Sequence, residues 1–452
     1  MNEKFKLYFK TNFFKDQIEL DKFLSSLTKH LVKTIRINTN KTSVINLKKR
    51  LEKLNYKLSN TFINNVFYTE RAENFDELEK RLGFSIEHLI GLFYIQELGA
   101  SSSVYFLSNG KIDKKEHLIL DMASSPGGKT TQLSEYYPNS FIVANEFDKN
   151  RTPQLISNIE RMGSDNIGIT CYNGQFIGRL TETFDKVLLD APCSGEGIGF
   201  KSAESLKYWN IKNVKKISEL QKKLFESGLN ALKIGGEMLY STCTMNKIEN
   251  EQIIDEILKK HPGSFKIIFQ KRFWPHIDET GGFFVCKIQK LKSISYHFTP
   301  KKELFNTEIK SLEKHEEKIL DIFCNKNGLN LENYLIFKYK NEMLALKKQD
   351  VYEKIKNRIY FFKLGKKIGK IEGNRFVPNY YVGRDFELEK VFKYKIKDSQ
   401  ELDNYLRGQE IGENIKENLI QIQFEGLNIG LGTLNKETGK IRNLFPTGWM
   451  RR

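Results

Sequence analysis

The hydrophobic positions of the chain follow three different patterns, one after another. In the first 100 residues, apolar side chains recur at helical spacing in IELDKFLSSLTKHL and again over residues 44–54, with a strand-like TIRINT between them. This mixture predicts an N-terminal α+β region. Arg36 and Asn38 share one face of that strand, because side chains alternate along a strand. Two interpretations are open for this face: an ordinary exposed polar surface, or an arginine that faces nucleic acid.

Residues 115–292 show a second pattern, in which short apolar runs rich in β-branched and aromatic residues alternate with helical periodicity. Strands are predicted at HLILD, FIVA, IGIT, KVLLD, MLYST and FFVCKIQ. Continuous apolar strands separated by helices are typical of a parallel sheet that is covered on both faces. The predicted fold class is therefore α/β, doubly wound and Rossmann-like, with ligands binding beyond the carboxyl ends of the strands.

After residue 300 the pattern changes again. A charged helix is predicted over about 306–326, followed by short strands at YLIFKY, MLALKK, RIYFFKLG, FVPNYYV, LIQIQF and NIGLGTL. Glycines and charges interrupt these strands, which favours a small, mostly-β domain. The densest basic stretch, KLGKKIGK, is interpreted as a solvated hairpin. The predicted organisation is an N-terminal α+β region (1–100), the parallel-sheet domain (101–295), a helical linker (296–330) and a mostly-β C-terminal domain (331–452).

Charge and cysteine content narrow the function. The chain of 452 residues has a formal net charge of +17, which favours a polyanionic partner such as nucleic acid or an anionic membrane surface. No apolar run approaches the roughly 20 residues that span a bilayer, and the N-terminus has no signal-peptide profile, so we expect a soluble, cytoplasmic protein. The five cysteines are odd in number and never form C-x-x-C, so neither a metal site nor a disulfide framework is predicted.

The ends of the first three predicted strands bear residues suited to a nucleoside. The first strand leads into DMASSPGGKT, where Gly127 and Gly128 permit a tight turn and a close approach of backbone N–H groups to a ligand. Glu146 follows the second strand and is placed to accept hydrogen bonds from a ribose diol, and Asn173 follows the third, where its amide suits an adenine edge. Because the turn is neither G-x-G-x-x-G nor a P-loop, S-adenosylmethionine (SAM) fits better than a dinucleotide.

The next two strands end beside cysteines. Asp190 closes the fourth strand shortly before Cys193, and Thr242 closes the fifth directly before Cys243. Neighbouring strands of a doubly wound sheet would bring both sulfurs to the cofactor cleft. Carbon-5 of a pyrimidine is a poor nucleophile, and a thiolate that adds to carbon-6 makes it reactive toward a sulfonium methyl group. Such a reaction also needs an acid at ring N3 and a base for the carbon-5 proton, and spacing alone leaves open which sulfur attacks.

These blocks are similar to the signature motifs of a known family. DMASSPGGKT, ANEFD, DAPCSGEG and YSTCT, together with YIQELGASS, RFWPH and GGFFVCKIQ, resemble the Sun/Nop-type RNA cytosine-5 methyltransferases over most of residues 30–292. The C-terminal IGLGTLNKETGKIRNLFPTGWMRR resembles the bacterial 16S rRNA branch, the RsmF-like enzymes, which have a PUA-type RNA-binding domain there. The resemblance implies a SAM-dependent RNA (cytosine-5-)-methyltransferase whose partner is 16S rRNA or the small ribosomal subunit.

The resemblance also implies a role for each matched residue. Cys243 would be the nucleophile on carbon-6, Cys193 would assist product release, and Asp190 would orient and protonate the cytosine edge while bordering the cofactor. The residues implied to hold SAM are Ala123, Ser124, Ser125, Pro126, Gly127, Gly128, Lys129, Glu146, Asn173 and Asp190. This chain departs from the family pattern at the two serines, which replace alanines, and at Asn173, which replaces the usual Asp and so keeps an acceptor but loses the charge.

Two other functions fit parts of the sequence. A tRNA methyltransferase of the same chemistry would share every catalytic block, and only the third region argues against it. A non-catalytic RNA-binding assembly factor could retain the fold, but such a module has no need of the thiols. Cys286 lies in an apolar strand and Cys324 beside Phe323, so both are expected in the core, whereas Cys171 stays undecided.

Overall fold

The computed structural model describes residues 2–71, 82–199, 206–298 and 309–450. Within these ranges the chain forms an N-terminal region, a central domain and a C-terminal region that pack against one another. No helix in this part of the chain has the length and apolar character needed to cross a bilayer.

The N-terminal region is a four-stranded antiparallel sheet with two helices beside it, preceded by two helices whose apolar side chains share a core with the central domain. Its helices are α1 (Glu3–Asn12), α2 (Gln17–Ser26), α3 (Val44–Lys53) and α4 (Ile86–Leu89), and its strands are β1 (Lys33–Ile37), β2 (Tyr56–Asn60), β3 (Val66–Arg71) and β4 (Phe93–Ile95). The strand order is β2-β3-β1-β4, and each neighbouring pair is antiparallel. The predicted α+β character of this region is confirmed.

The central domain is built on a parallel sheet with antiparallel strands added at its edges. Its strands are β5 (Leu118–Asp121), β6 (Phe141–Asn145), β7 (Ile167–Thr170), β8 (Phe184–Asp190), β9 (Leu232–Thr242), β10 (Phe265–Phe273) and β11 (Phe283–Lys290), and its helices are α5 (Leu98–Leu107), α6 (Gly128–Tyr136), α7 (Thr152–Met162), α8 (Gly174–Ile177), α9 (Ile211–Ala231) and α10 (Glu251–Lys260). The order in space is β10-β11-β9-β8-β5-β6-β7, and the five strands from β5 to β9 run parallel. All six strands predicted for this domain are present.

Two hydrophobic cores cover the two faces of this sheet. On one face, Leu118 and Leu120 of β5 pack with residues of α9 and α10. On the other face, Ile119 packs with residues of α5, α6 and α7. Because alternate residues of one strand enter different cores, the strand must be apolar at every position, which explains its continuous hydrophobic run. The doubly wound arrangement is therefore confirmed.

The C-terminal region contains two further sheets. Its strands are β12 (Ile309–Ser311), β13 (Tyr334–Tyr339), β14 (Glu342–Lys347), β15 (Lys363–Leu364), β16 (Lys366–Glu372), β17 (Arg375–Pro378), β18 (Phe392–Lys395), β19 (Leu419–Phe424), β20 (Leu427–Asn435) and β21 (Lys440–Asn443), and its helices are α11 (Lys314–Asn327), α12 (Asp350–Glu353), α13 (Tyr380–Asp385) and α14 (Ser399–Leu406). The sheets have the orders β12-β13-β14-β16-β17 and β18-β19-β20-β21. The remaining strand, β15, pairs antiparallel with β7 and extends the central sheet. The region is rich in β-structure, as predicted.

Two of its predicted strands are wrong in part. Most of RIYFFKLG is not a strand, because Phe361 turns into the core of the central domain and only Lys363–Leu364 pairs with a neighbour. FVPNYYV divides in two, since Asn379 caps a helix with its side chain directly after β17 ends. The predicted charged helix begins only at Lys314, because Ile309–Ser311 instead forms β12 and pairs with β13; the residues predicted before it, up to 308, lie outside the described residues.

The basic stretch KLGKKIGK is not a solvated hairpin. Lys363 and Lys366 are both buried. Lys363 pairs with Glu160 of α7, and the Nζ of Lys366 lies 3.6 Å from an Oδ2 atom of Asp165, just before β7. These lysines therefore join the C-terminal region to the central domain.

Both interpretations of the Arg36 face are also wrong. Arg36 and Asn38 are buried, because the N-terminal sheet packs against the central domain. The guanidinium of Arg36 donates to both carboxylate oxygens of Glu135 on α6, each at 3.0 Å, and the amide of Asn38 donates to the carbonyl of Met162 at the end of α7 (2.9 Å). The two side chains connect regions of the protein instead of facing solvent or nucleic acid.

Candidate active site

The carboxyl ends of the parallel strands form one edge of the central sheet, and the predicted site residues follow these ends. β5 lies between β6 and β8, and β9 lies beyond β8. Asp190, the last residue of β8, stands opposite Ser241 of β9 in the parallel register. The segments that bear the two cysteines therefore leave the sheet side by side, as the sequence predicts.

The loop of residues 123–129 joins β5 to α6. Its Ser125–Pro126 peptide bond is cis, and Gly127 has a φ of +103°, a conformation that glycine adopts more readily than other residues. The backbone N–H of Ser124 donates to the carbonyl of Asn145 (2.9 Å), and that of Ser125 donates to Oε2 of Glu146 (3.2 Å). The loop is thus fixed to the end of β6 before α6 begins.

Glu146 and Asn173 both accept hydrogen bonds from backbone N–H groups with their side-chain oxygens. Glu146 is buried, and its Oε1 accepts from the N–H of Asp148 (2.9 Å). A carboxylate has lone pairs left for a ribose diol after two such bonds. The Oδ1 of Asn173 accepts from the N–H of Gln175 (2.9 Å) and so caps α8. The oxygen expected to contact adenine is therefore shared with the helix backbone.

Asp190 and Lys129 form an ion pair at the centre of the site. The Nζ of Lys129 lies 2.7 Å from Oδ2 of Asp190, and the hydroxyl of Ser241 donates to Oδ1 of Asp190 (2.8 Å). Burial acts to lower the pKa of Lys129, but the charge and hydrogen bond of Asp190 raise it above its ordinary value. The same Nζ lies 5.4 Å from the ring centroid of Phe283. Lys129 therefore stays a cation at neutral pH, and its long side chain is held in place.

The two thiols touch each other. The Sγ atoms of Cys193 and Cys243 are 2.9 Å apart, and both cysteines are free and half-buried. The hydrogen bond with Cys243, burial and the nearby negative charges raise the pKa of the Cys193 thiol well above its ordinary value. Cys193 consequently keeps its proton at neutral pH and can donate it toward the sulfur of Cys243.

The other cysteines lie away from this contact. Cys286 is buried in the core of the central domain, as expected, and Cys324 packs at the margin of a C-terminal core. The sulfur of Cys171, which the sequence leaves undecided, is 3.8 Å from the hydroxyl of Thr152 on α7.

Two buried glutamates beside the thiols are absent from the set expected from the sequence. Glu196 lies three residues after Cys193, and Glu249 lies six residues after Cys243. Both are fully buried and accept hydrogen bonds from several groups around the cysteines. Their position inside or just after the two motif blocks is the signal that could have found them, since no periodicity distinguishes a buried glutamate.

The donor set at this edge fits SAM. Glu146 would offer a carboxylate to ribose hydroxyls, the preceding loop has small side chains beside backbone N–H groups, and Asp190 with Lys129 adds a pair of charges at the neighbouring strand end. All of these groups lie at the carboxyl ends of parallel strands, where doubly wound sheets bind nucleoside ligands.

Comparisons with known proteins identify the family of this chain. Residues 1–98 match the N-terminal domain of 16S rRNA methyltransferase RsmF, and residues 111–289 match the family described as 16S rRNA methyltransferase RsmB/F. The ribosomal RNA small subunit methyltransferase F of Shewanella loihica is 28% identical over 460 residues, which cover 96% of this chain and 93% of that protein. The enzyme of the same name from Shewanella sp. strain W3-18-1 is 33% identical over 353 residues, covering 71% of this chain and 69% of that protein.

A solved structure shares the fold. The crystal structure of a methyltransferase homologue from Pyrococcus horikoshii has a TM-score of 0.55 and 28% identity, and the match covers 64% of this chain and 96% of that chain. The chain thus belongs to the ribosomal RNA small subunit methyltransferase F family, whose members are SAM-dependent RNA methyltransferases.

Proposed function

We propose that this protein transfers the methyl group of SAM to carbon-5 of a cytosine in 16S rRNA, through a covalent bond between Cys243 and carbon-6. The observation that supports this most directly is the pair of free thiols, 2.9 Å apart, beside Asp190. Methylation of an oxygen or nitrogen atom needs no thiol, whereas carbon-5 must first be made electron-rich by addition at carbon-6.

The thiol contact favours Cys243 as the nucleophile. Cys193 keeps its proton because its pKa is raised, and it can donate that proton toward Cys243. A sulfur that accepts such a hydrogen bond is stabilised as the thiolate, which is the form that attacks. Lys129, paired with Asp190, adds a positive charge near this sulfur. The family resemblance assigns the same role to Cys243.

The proposed reaction uses side chains that are already in contact. Bound SAM supplies an electrophilic methyl group. The thiolate of Cys243 forms a bond to carbon-6, the electrons of the carbon-5–carbon-6 double bond move into the ring, and N3 takes up a proton shared by Asp190 and Lys129, whose charged atoms are 2.7 Å apart. Carbon-5 can then form its bond to the methyl group, whose bond to the sulfonium sulfur would break with its electron pair left on that sulfur, so that S-adenosylhomocysteine would leave.

Release requires three proton transfers. Carbon-5 loses its proton, the ring double bond is restored, N3 returns its proton to Asp190 and Lys129, and the bond between carbon-6 and Cys243 breaks. We assign Cys193 to this exchange, since it can give its proton to the departing Cys243 sulfur and accept the carbon-5 proton. Cys243 then ends the cycle as a thiol and must lose its proton before the next one.

The proposed substrate rests on charge and family. The net charge of +17 suits a polyanion, and the relatives are named for the small subunit ribosomal RNA. In this proposal residues 1–100 and 331–452 contact the RNA, while residues 101–295 perform the chemistry.

Labelled SAM tests the proposal. The purified chain is incubated with naked 16S rRNA, small ribosomal subunits or tRNA, and the digested RNA is analysed for 5-methylcytidine. We expect label in 5-methylcytidine from one of the two 16S rRNA substrates. Methylation of tRNA alone would assign the other substrate, and SAM binding without transfer to any RNA would identify a non-catalytic factor.

Cysteine variants test the assigned roles. Cys243→Ala should abolish turnover and leave no covalent complex, whereas Cys193→Ala should accumulate a denaturant-resistant protein–RNA adduct because attack survives and release fails. Cys324→Ala, in the C-terminal region, is the matched control and should turn over without adduct. An adduct in Cys243→Ala would reverse the two roles.

A further inference from the structure

The two thiols are held by separate loops. Cys193 lies in the segment 191–199 after β8, and Cys243 lies in the segment 243–250 after β9. The N–H of Gly197 donates to the carbonyl of Cys243 (2.9 Å), which joins the loops at one point of the backbone. Since irregular segments lack the repeated bonds of a sheet, other groups must fix the relative position of the sulfurs.

Glu196 in the first loop accepts donors from the second. Its Oε2 accepts from the hydroxyl of Thr244 and from the N–H groups of Met245 and Asn246, the latter two at 3.1 Å. Its Oε1 accepts from the side-chain amide of Asn246 (2.8 Å) and from the indole N–H of Trp209 (2.6 Å). One carboxylate therefore fixes the three residues that directly follow Cys243.

Glu249 in the second loop makes the reciprocal contacts. It accepts from the backbone N–H of Ser194 (2.9 Å) and from its hydroxyl, so it holds the residue directly after Cys193. It also accepts from the side-chain amides of Gln221 (2.9 Å) and Asn246 (2.8 Å). Asn246 thus bridges the two carboxylates, and each loop holds the residue next to the other loop's thiol.

The donors around these carboxylates explain why glutamate is present. Both side chains are fully buried, and within the described ranges neither forms a salt bridge. A buried carboxylate is costly unless hydrogen bonds satisfy it, and here N–H and O–H donors converge on it from both loops. A carboxylate only accepts, whereas glutamine would place an N–H₂ group against some of these donors. The arrangement therefore requires an acid at both positions.

We propose that Glu196 and Glu249 are positioning residues that cross-link the two cysteine loops and set the separation of the Cys193 and Cys243 sulfurs. The catalytic consequence rests on the carbon-5 mechanism proposed above, in which proton exchange between the sulfurs is needed for release. The geometric consequence does not, because the distance between two thiols can be measured without any methylation.

Two measurements on the full-length protein test this role. The first is the single-turnover rate of methyl transfer to the RNA, divided by the number of SAM-binding sites found by titration. The second is the rate at which diamide joins Cys193 to Cys243, a step in which the two thiols lose two electrons and two protons to the N=N bond of the reagent. A merely structural role would lower the number of SAM sites but not the rates per site.

Glu196→Gln and Glu249→Gln are expected to lower both rates per site by about 10- to 100-fold, because misplacement by about 1 Å costs that much in an oriented reaction. Glu256→Gln is the matched control, since Glu256 lies on α10 close to Glu249 in sequence but is half-exposed and pairs with Lys222. This control should keep the wild-type rates. Ser194→Ala and Thr244→Val each remove one hydroxyl donor and should give smaller, severalfold losses, which keeps the test decisive if a glutamine variant fails to fold.

The proposal would be overturned if the glutamine variants kept a full number of SAM sites and cross-linked as fast as the wild type. Equal transfer rates per site in the glutamine variants and in Glu256→Gln would also overturn it. If the wild-type protein made no 5-methylcytidine while cross-linking still slowed in the variants, the proposed function would fail and the positioning role would stand.

Discussion

Replacing Arg36 by methionine tests how the N-terminal region supports the cofactor loop. Arg36 is fully buried and donates to both carboxylate oxygens of Glu135, each at 3.0 Å. Its Nη1 also donates to the carbonyl of Gly128, the first residue of α6 (2.6 Å). Methionine retains an apolar stem of similar length, so the substitution chiefly removes the charge and its donors.

The expected loss of stability follows from the buried partner that remains. Removing one member of a buried ion pair costs about 3–5 kcal/mol, because the other charge stays buried without compensation. Burial already raises the pKa of Glu135 to about 6, while Arg36 acts to lower it. Without Arg36 this pKa rises further, and Glu135 takes up a proton near neutral pH.

The sign of the pH dependence is fixed by that shift. Since the folded-state pKa of Glu135, about 6, lies above the ordinary value of 4.5, the folded protein binds more protons than the unfolded chain in the pH window between these two values. Stability therefore falls as pH rises through this window. In Arg36→Met the window extends to higher pH. The variant should therefore lose more stability relative to the wild type at pH 8 than at pH 5.

Urea denaturation of the wild type, Arg36→Met, Glu135→Gln and the double variant measures the effect. The double variant should regain about 2 kcal/mol relative to Arg36→Met, because no buried charge remains. Lys53→Met serves as control, since Lys53 is exposed and its pair with Glu425 contributes at most about 1 kcal/mol. A pH-independent loss below about 1 kcal/mol, or no recovery in the double variant, would refute the reasoning.

Three other substitutions probe the site. Gly197→Ala would place a methyl group against the backbone carbonyl of Gly282, so it should destabilise the protein by about 1–3 kcal/mol and slow labelled-methyl transfer, whereas Gly448→Ala meets open space and should leave the thermal midpoint unchanged. Glu146→Gln should weaken SAM binding by about tenfold in calorimetry, because a charged acceptor is lost, and an unchanged Kd would remove Glu146 from the cofactor site. Asn173→Asp keeps the capping oxygen and adds a charge, so SAM should bind a few-fold more tightly, and weaker binding would contradict a ligand contact at this position.

The parts of the fold that could be predicted are those where a local pattern has one structural solution. The run IGIT must be a fully buried strand, and β7 has the same bounds as the predicted segment. The alternation in TIRINT placed Arg36 correctly on a strand, but alternation does not tell which surface will cover a given face. The same limit applies to Lys363 and Lys366, since their acidic partners come from a distant part of the chain.

In the candidate site, too, the sequence predicts some features and not others. The pairing of Cys193 with Cys243 follows from strand order, because residues at adjacent strand ends must be neighbours in space. Glu196 and Glu249 are different, since their importance depends on donors that converge only after both loops have folded. A sequence pattern records residue types, and it does not record how many donors surround a carboxylate.

The two-residue strand β15 limits how this protein could be shortened or recombined. It covers the edge of β7, and Ile359 and Phe361, just before it, belong to the core of the central domain. A truncated chain that ended after β11 would leave an unpaired strand edge and uncovered apolar side chains, which are features that promote aggregation between molecules. The C-terminal region therefore cannot be treated as a detachable module. Any transplant of the central domain onto another protein would have to include the segment around residues 350–365 or supply a substitute for it.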